Sequence, residues 1–192
     1  MNHVIDISDW NDNIDWLKMK EHCEGVIVKI SEGRTLSDLY AKHIASAIAA
    51  GLDFGVYCYT HATTTDRAME EADTVLNALV ALGYGKPELG IWFDVEDANT
   101  LSLNAEDITA IASAFISECN SRDYSAGIYA SLSTLCYKLN PYDLAGYVPY
   151  WCAQYAEKCE FANYFNLLIW QGWQYTDKYE IDGNFYDRSE WY

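Results

Sequence analysis

Positive charge is scarce in this chain: 12 Lys and Arg face 29 Asp and Glu in 192 residues, a formal net charge of −17. The basic residues are scattered, so no stripe is available to neutralise a nucleic-acid backbone, and an anionic membrane surface would repel the protein. A run of about 18 uncharged apolar residues is also missing, which excludes a transmembrane helix. The opening Met1-Asn2-His3-Val4-Ile5-Asp6 has neither a basic n-region nor a long apolar h-region, so no Sec-type signal peptide is expected. No linker, internal repeat or low-complexity tract breaks the chain. The six cysteines, Cys23, Cys58, Cys119, Cys136, Cys152 and Cys159, contain no CxxC pair. That spacing argues against zinc, and several of them fall inside apolar patterns where a thiol packs as a small hydrophobe. Free thiols are expected, with no metal and no cofactor.

Aromatic residues, by contrast, are abundant: 7 Trp, 16 Tyr and 6 Phe. A disordered acidic chain would not carry so much ring surface, so the protein is globular and some of its rings are expected to line a binding cleft. At this length one domain suffices, burying roughly 70% of the surface of the unfolded chain.

Apolar runs of strand length alternate with helical patterns through the first two thirds. Val4–Ile7, Gly25–Ile30, Phe54–Tyr59, Leu89–Val95 and Ser125–Tyr129 read as strands. Ser37 is placed to cap a helix that carries Ile44, Ala47 and Ile48 and stops at Gly51. Another helix runs from about Asp66 to Leu82 before Gly83, and Asn104 with Asp107 opens one bearing Ile108, Ile111, Ala112, Phe115, Ile116 and Cys119. A shorter helix follows Ser131 and ends before Pro141. After it, Tyr147–Tyr155, Leu167–Tyr175 and Glu180–Tyr186 look like strands with too little chain between them for long helices. The expected architecture is α/β, a single-domain, irregular TIM-like barrel of five β-α units and three further strands. In a parallel barrel the active site lies at the C-terminal ends of the strands.

The stretch richest in chemistry is Gly90-Ile91-Trp92-Phe93-Asp94-Val95-Glu96-Asp97. Alternation along a strand puts Ile91, Phe93 and Val95 on one face and Trp92, Asp94 and Glu96 on the other. Two carboxyls beside a ring are what glycoside hydrolysis requires: an acid to protonate the leaving oxygen, a carboxylate to support an oxocarbenium-like transition state, and a surface for a sugar. Glu71-Ala72-Asp73 and Glu180-Ile181-Asp182 repeat the acid-x-acid spacing. The first lies in the helical pattern of Ala68, Met69, Ala72, Val75, Leu76 and Leu79, and reads as a solvated helix surface. His61, near the end of the third strand, reads as a polar rim residue rather than a metal ligand.

Taken in order, Val4-Ile5-Asp6-Ile7-Ser8, Ile14-Asp15-Trp16, Val28-Lys29-Ile30-Ser31-Glu32-Gly33, Gly55-Val56-Tyr57-Cys58-Tyr59, Phe93-Asp94-Val95-Glu96, Gly127-Ile128-Tyr129, Trp151-Cys152-Ala153-Gln154-Tyr155, Trp173-Gln174-Tyr175-Thr176 and Ile181-Asp182 resemble the glycoside hydrolase family 25 lysozymes, the Chalaropsis-type N-acetylmuramidases. The resemblance covers nearly the whole chain. It implies a (β/α)5(β)3 barrel that cleaves the β-1,4 bond between N-acetylmuramic acid and N-acetylglucosamine in peptidoglycan. It also implies Glu96 as general acid, with Asp94, Asp6 and Asp182 completing an acidic floor, and Lys29, Tyr57, Tyr59, Tyr129, Trp151 and Trp173 shaping the sugar groove. In Trp170-Gln171-Gly172-Trp173-Gln174 the motif has two registers, and Tyr175-Thr176 favours Trp173. A glycan-binding barrel without catalysis and a chitinase-like hydrolase remain as alternatives, and the stereochemical course is open. The implied partners are peptidoglycan glycan strands and, given the charge, a C-terminal cell-wall-binding domain outside this chain. The implied place of action is the bacterial cell wall, reached by release at lysis or by another route of export.

Overall fold

The computed structural model describes residues 2–144 and 148–192. The chain runs β1 (Asn2–Ile7), α1 (Trp16–His22), β2 (Gly25–Glu32), β3 (Thr35–Leu36), α2 (Tyr40–Ala50), β4 (Asp53–Tyr59), α3 (Thr65–Leu82), β5 (Ile91–Asp94), α4 (Ala98–Leu101), α5 (Ala105–Ser121), β6 (Ala126–Ser131), α6 (Leu132–Tyr137), β7 (Pro149–Ala153), α7 (Phe161–Tyr164), β8 (Ile169–Ile181) and β9 (Asn184–Trp191). The strands hydrogen-bond in the order β1-β9-β8-β7-β6-β5-β4-β2-β3, and a further β1–β2 pairing closes the barrel, leaving β3 as a short flap on β2. Pairing is parallel from β1 through β2, β4, β5, β6 and β7 to β8, while β9 runs antiparallel to both β8 and β1. The α/β barrel expected from the alternating pattern is therefore present. Among the described residues no helix is long and apolar enough to cross a membrane.

Local signals account for most helix ends. Thr64 accepts from Arg67 N to start α3, and Gly83, at φ 71°, ends it in the left-handed conformation that glycine adopts without penalty. Asn104 accepts from Asp107 N to open α5. The expected Ser37 cap does not form. Instead α2 starts after Leu39, which has no capping side chain of its own, and Asp9 of the β1–α1 loop accepts from Asp38 N at 3.3 Å and Leu39 N at 2.9 Å. A carboxylate distant in sequence supplies the negative charge that a helix N-terminus favours.

The last strands correct the expected layout. β8 is long, and β9 begins after a two-residue turn, Asp182-Gly183, with Ile181 paired to Asn184. Both turn residues have positive φ, 50° and 79°, which is the geometry of a tight hairpin whose twist matches its strands. The segment Glu180–Tyr186 is thus a hairpin tip rather than a strand. Of the expected strand Tyr147–Tyr155, Tyr147 lies outside the described residues and Pro149–Ala153 forms β7.

Strand alternation sorts the barrel wall. Ile91, Phe93 and Val95 join the layer beneath the helices, where Phe93 meets Phe115 of α5 at a 4.5 Å centroid distance. Val4, Ile27, Trp92, Tyr129, Trp151 and Trp191 fill the interior. The three interior indoles meet edge to face at 5.4 to 5.8 Å. Two glycines make room for them: a Cβ on Gly172 would sit 2.4 Å from the Trp191 ring, and one on Gly127 would sit 2.7 Å from the Trp92 ring. The barrel is a packed core, and its upper surface is the floor of whatever site lies above.

Candidate active site

The alternation that points Val4, Trp92 and Trp191 inward points the residues further along each strand into the barrel mouth. Asp6 follows Val4 on β1, Asp94 follows Trp92 on β5 with Glu96 just past the strand, and Asp187 lies four residues before Trp191 on the antiparallel β9. Asp6, Asp94, Glu96 and Asp187, with Tyr57, Tyr59, Tyr129 and Trp151, line a cavity of about 150 Å³. Of the residues expected in the site, Asp6, Asp94, Glu96, Tyr57, Tyr59, Tyr129 and Trp151 are therefore brought together.

Three expected residues lie elsewhere. Asp182, at the β8–β9 turn, is half exposed and pairs with Lys18 of α1. The fourth acid of the cleft is Asp187, which stands directly across from Asp6 in the β1–β9 register. Its signal in the sequence was the Asp182-Gly183 turn pair, which sets the register of β9 and so the face that Asp187 takes. Trp173 is absent from the cleft lining; its indole N–H donates to Gln154 O at 2.7 Å and its ring packs beside Tyr175. Its neighbour Gln174 faces the site in its place. Lys29 lines an adjoining cavity with Asp9, Glu32 and His61. Its ammonium donates to Glu32 Oε2 at 2.6 Å and sits 5.3 Å from the centre of the Tyr59 ring.

Gln174 organises one side of the acids. Its side-chain oxygen accepts from the Tyr129 hydroxyl at 2.9 Å and the Tyr155 hydroxyl at 3.1 Å, and its amide nitrogen donates to Asp6 Oδ2 at 3.0 Å. Two phenols on the oxygen fix the orientation of the amide, so the group offered to Asp6 is a donor. On the other side, Asp97 Oδ2 accepts from Asn99 N at 2.9 Å and Thr100 N at 3.0 Å, capping α4 and holding the chain immediately after Glu96. His61 stands at the rim, its Nδ1 2.9 Å from Asp97 Oδ1 and its Nε2 3.1 Å from Glu32 Oε1.

The electrostatics follow from crowding. Burial, then the charges of Glu96 and Asp6, push the Asp94 carboxyl well above the usual range, with Lys29 pulling the other way. Asp94 Oδ1 is buried with no hydrogen-bond partner among the described residues. Asp6 is also pushed well up, by burial and then by Asp187, against the hydrogen bond from Gln174. Asp187 is raised by burial, with Asp6 across from it drawing the other way and the charge of Asp177 adding to the rise. Glu96 is raised by desolvation and by Asp187, although its side chain opens to the solvent in the cleft. Like charges held together cannot all ionise, so these acids titrate as a set and part of it stays protonated above the ordinary carboxylate range. Tyr57 and Tyr129 are pushed well up by burial and then by the acids, and remain neutral donors.

A second acid pair is corrected here as well. Glu71, expected on a solvated helix face, is 0% exposed. It accepts from Thr60 Oγ1 at 2.6 Å, His61 N at 3.3 Å and Arg67 Nε at 3.3 Å, bracing the loop after β4. All six cysteines are free.

Comparison with known proteins places this arrangement. The family described as Glycosyl hydrolases family 25 matches residues 5–184. YegX, an uncharacterised protein of Escherichia coli O6:H1, is 26% identical over 191 residues, covering 94% of this chain and 65% of that protein. The CTP1L endolysin superposes with a TM-score of 0.83 at 26% identity, over 100% of this chain and 67% of the endolysin. The modular autolysin LytC of Streptococcus pneumoniae, solved with a synthetic peptidoglycan ligand, superposes with a TM-score of 0.85 at 24% identity. This chain covers only 46% of LytC, and that likeness speaks for the fold.

Proposed function

Because the chain belongs to glycosyl hydrolases family 25, we propose that its acidic cleft hydrolyses the β-1,4 bond between N-acetylmuramic acid and N-acetylglucosamine in peptidoglycan. The observation that carries this reading is the pairing of Asp94 and Glu96 at the barrel mouth, one buried with an unpartnered oxygen and the other open to the cleft. Glu96 is the general acid: its raised pKa keeps a proton available for the leaving oxygen, and its exposure lets a substrate reach it. Asp94 in its ionised form supplies negative charge beneath the sugar, either to the developing cation or to an acetamido group that assists from the substrate itself. Asp6 and Asp187, paired across β1 and β9, add two further carboxyls beside them. Tyr57, Tyr59, Tyr129 and Trp151 form its walls, and the hydroxyls of Tyr57 and Tyr59 add neutral donors for the sugars. No step requires a metal or cofactor.

The test is release of reducing ends from purified peptidoglycan, with chitin oligomers in parallel. Cleavage that leaves N-acetylmuramic acid at the new reducing end supports the reading. Equal activity on chitin oligomers would move the protein to a chitinase-like class, and binding without cleavage would make it a lectin. The place of action is the bacterial cell wall, and the partner supplying affinity is a cell-wall-binding module. A catalytic domain of net charge −17 is repelled by anionic wall polymers. Moderate salt should therefore increase lysis, as should fusion to a wall-binding module, which raises effective concentration. A steady fall of lysis with salt, and no gain from the fusion, would count against that partner.

A further inference from the structure

The groove continues past the four acids. A second cavity, of about 160 Å³, shares Asp6, Tyr57 and Asp187 with the acidic cleft, and its outer walls include Trp10 and Phe185. Trp10 is 93% exposed and Phe185 60% exposed.

The backbone around Trp10 is nevertheless tied down. Asn11 N donates to Ser8 O at 3.0 Å, and Ser8 N donates to Asn11 Oδ1 at 2.9 Å. His43 Nε2, from α2, lies 3.0 Å from Asn11 O. Asp9, the residue before Trp10, holds the N-terminus of α2. A loop anchored on both sides of an indole that stays in water has forgone the burial that so large a ring would otherwise gain. It also has little ordering left to lose when something covers the ring. Phe185 faces it from β9: alternation gives Phe185 the same side of the strand as Asp187, two residues on, so it extends the inward row Trp191, Ser189, Asp187 beyond the barrel rim.

We propose that Trp10 and Phe185 form an additional sugar subsite, which takes a hexosamine ring of the glycan strand on the Asp6 and Asp187 side of the scissile bond. A pyranose presents an apolar C–H face to an aromatic ring and hydroxyls at its edge, which Ser8, Asn11 and the shared carboxyls are placed to meet. An anionic polymer is disfavoured there by the acids. The continuity of this cavity with the cleft makes the occupant part of the same strand. This inference rests on the glycan-hydrolase reading above and concerns how far the groove extends.

Calorimetric binding of two-sugar and six-sugar peptidoglycan fragments to the Glu96→Gln protein separates the two. In that background Trp10→Ala should lower the ratio of six-sugar to two-sugar affinity by roughly tenfold and Phe185→Ala by about threefold, with Trp10→Phe restoring most of the loss. Both rings are exposed, so unchanged thermal unfolding is the companion readout. An unchanged ratio in both alanine variants, with the six-sugar fragment still binding the parent, overturns the subsite and leaves the hydrolase reading standing. Absence of binding by the parent, together with absence of cleavage by the wild-type chain, overturns the hydrolase reading and the subsite with it.

Discussion

Glu71 and Asp94 are both shut away from water, one under the α3 helix and one at the barrel mouth, and the fold treats them in opposite ways. Glu71 is surrounded by donors: a hydroxyl, a backbone N–H and a guanidinium. Asp94 keeps an oxygen without a partner and has acids for neighbours, with Lys29 as its cationic relief. The first arrangement offsets part of the cost of desolvating a carboxylate, although burial still leaves the Glu71 pKa raised, and the second leaves that cost standing. A group buried to hold a loop is satisfied within the protein, whereas a group buried to do chemistry is left for the substrate to satisfy. Stability and activity should therefore respond oppositely when each site is neutralised.

The largest expected effect lies at the cleft. Glu96→Gln keeps the shape but has no proton to deliver, and peptidoglycan cleavage should fall by about 10² to 10⁴-fold or more with the fold intact. Near wild-type rates would remove Glu96 from its role. Asp94→Asn should cost roughly 10² to 10³-fold, the size seen when a preorganised electrostatic group is removed. Should Asp94→Asn keep full activity while Asp6→Asn or Asp187→Asn loses it, the supporting carboxylate is another member of the set.

The other half of the comparison is tested by denaturation. Glu71→Ala leaves Arg67, Thr60 and the His61 amide without their acceptor, and should lower unfolding free energy by roughly 3 kcal/mol while turnover per folded molecule stays close to wild type. A stability loss below experimental error would show that the Glu71 contacts are incidental.

A smaller effect of opposite sign is expected at Asp94. Its folded pKa is raised, so its favourable contribution is complete below the unfolded value and is lost as pH rises through the folded one. Near neutral pH the unfolded carboxyl ionises more readily than the folded one, so Asp94→Asn should stabilise the protein there by about 1 kcal/mol, a gain that vanishes in acid. Urea titrations of both proteins at neutral and acid pH decide it, and equal stability at every pH would break the contrast with Glu71.

The smallest effect concerns His61. Desolvation lowers its pKa, but hydrogen bonds to Glu32 and Asp97 outweigh this and leave it raised. The imidazolium clamp therefore stabilises below the unfolded value of about 6.5 and is lost as pH rises through the folded value. At a surface position this amounts to a few tenths of a kcal/mol, visible as a flatter stability profile above pH 6 in His61→Ala.

The path from sequence to site was readable where a pattern is local. Asp94 and Glu96 were legible because strand period alone puts them on the face of Trp92, and that face is the barrel interior. Glu71 was misread although its spacing carried the answer: it lies three residues after Ala68 and four before Val75, both on the buried face of α3. The resemblance points to Asp182 through Ile181-Asp182, whereas the Asp182-Gly183 pair is a hairpin turn and the inward acid lies further along β9 at Asp187. The Trp-Gln-Tyr motif completed by Tyr175-Thr176 points to Trp173, whereas the strand carrying both turns the Gln174 amide toward Asp6.

By itself the sequence determined the alternation of strands and helices, the cap Asn104, the stop at Gly83 and the facing of Trp92, Asp94 and Glu96, all of which depend on interactions within a few residues. Only the closed barrel decided which acids meet. Asp6 and Asp187 are far apart in the chain and are paired by the β1–β9 register; Asp9 reaches across to cap α2; Gln174 finds Asp6 only because β8 and β1 flank the same strand. Those contacts depend on register and closure, which arise from packing Trp92, Trp151 and Trp191 against Gly127 and Gly172, and no short window of sequence contains both sides of that packing.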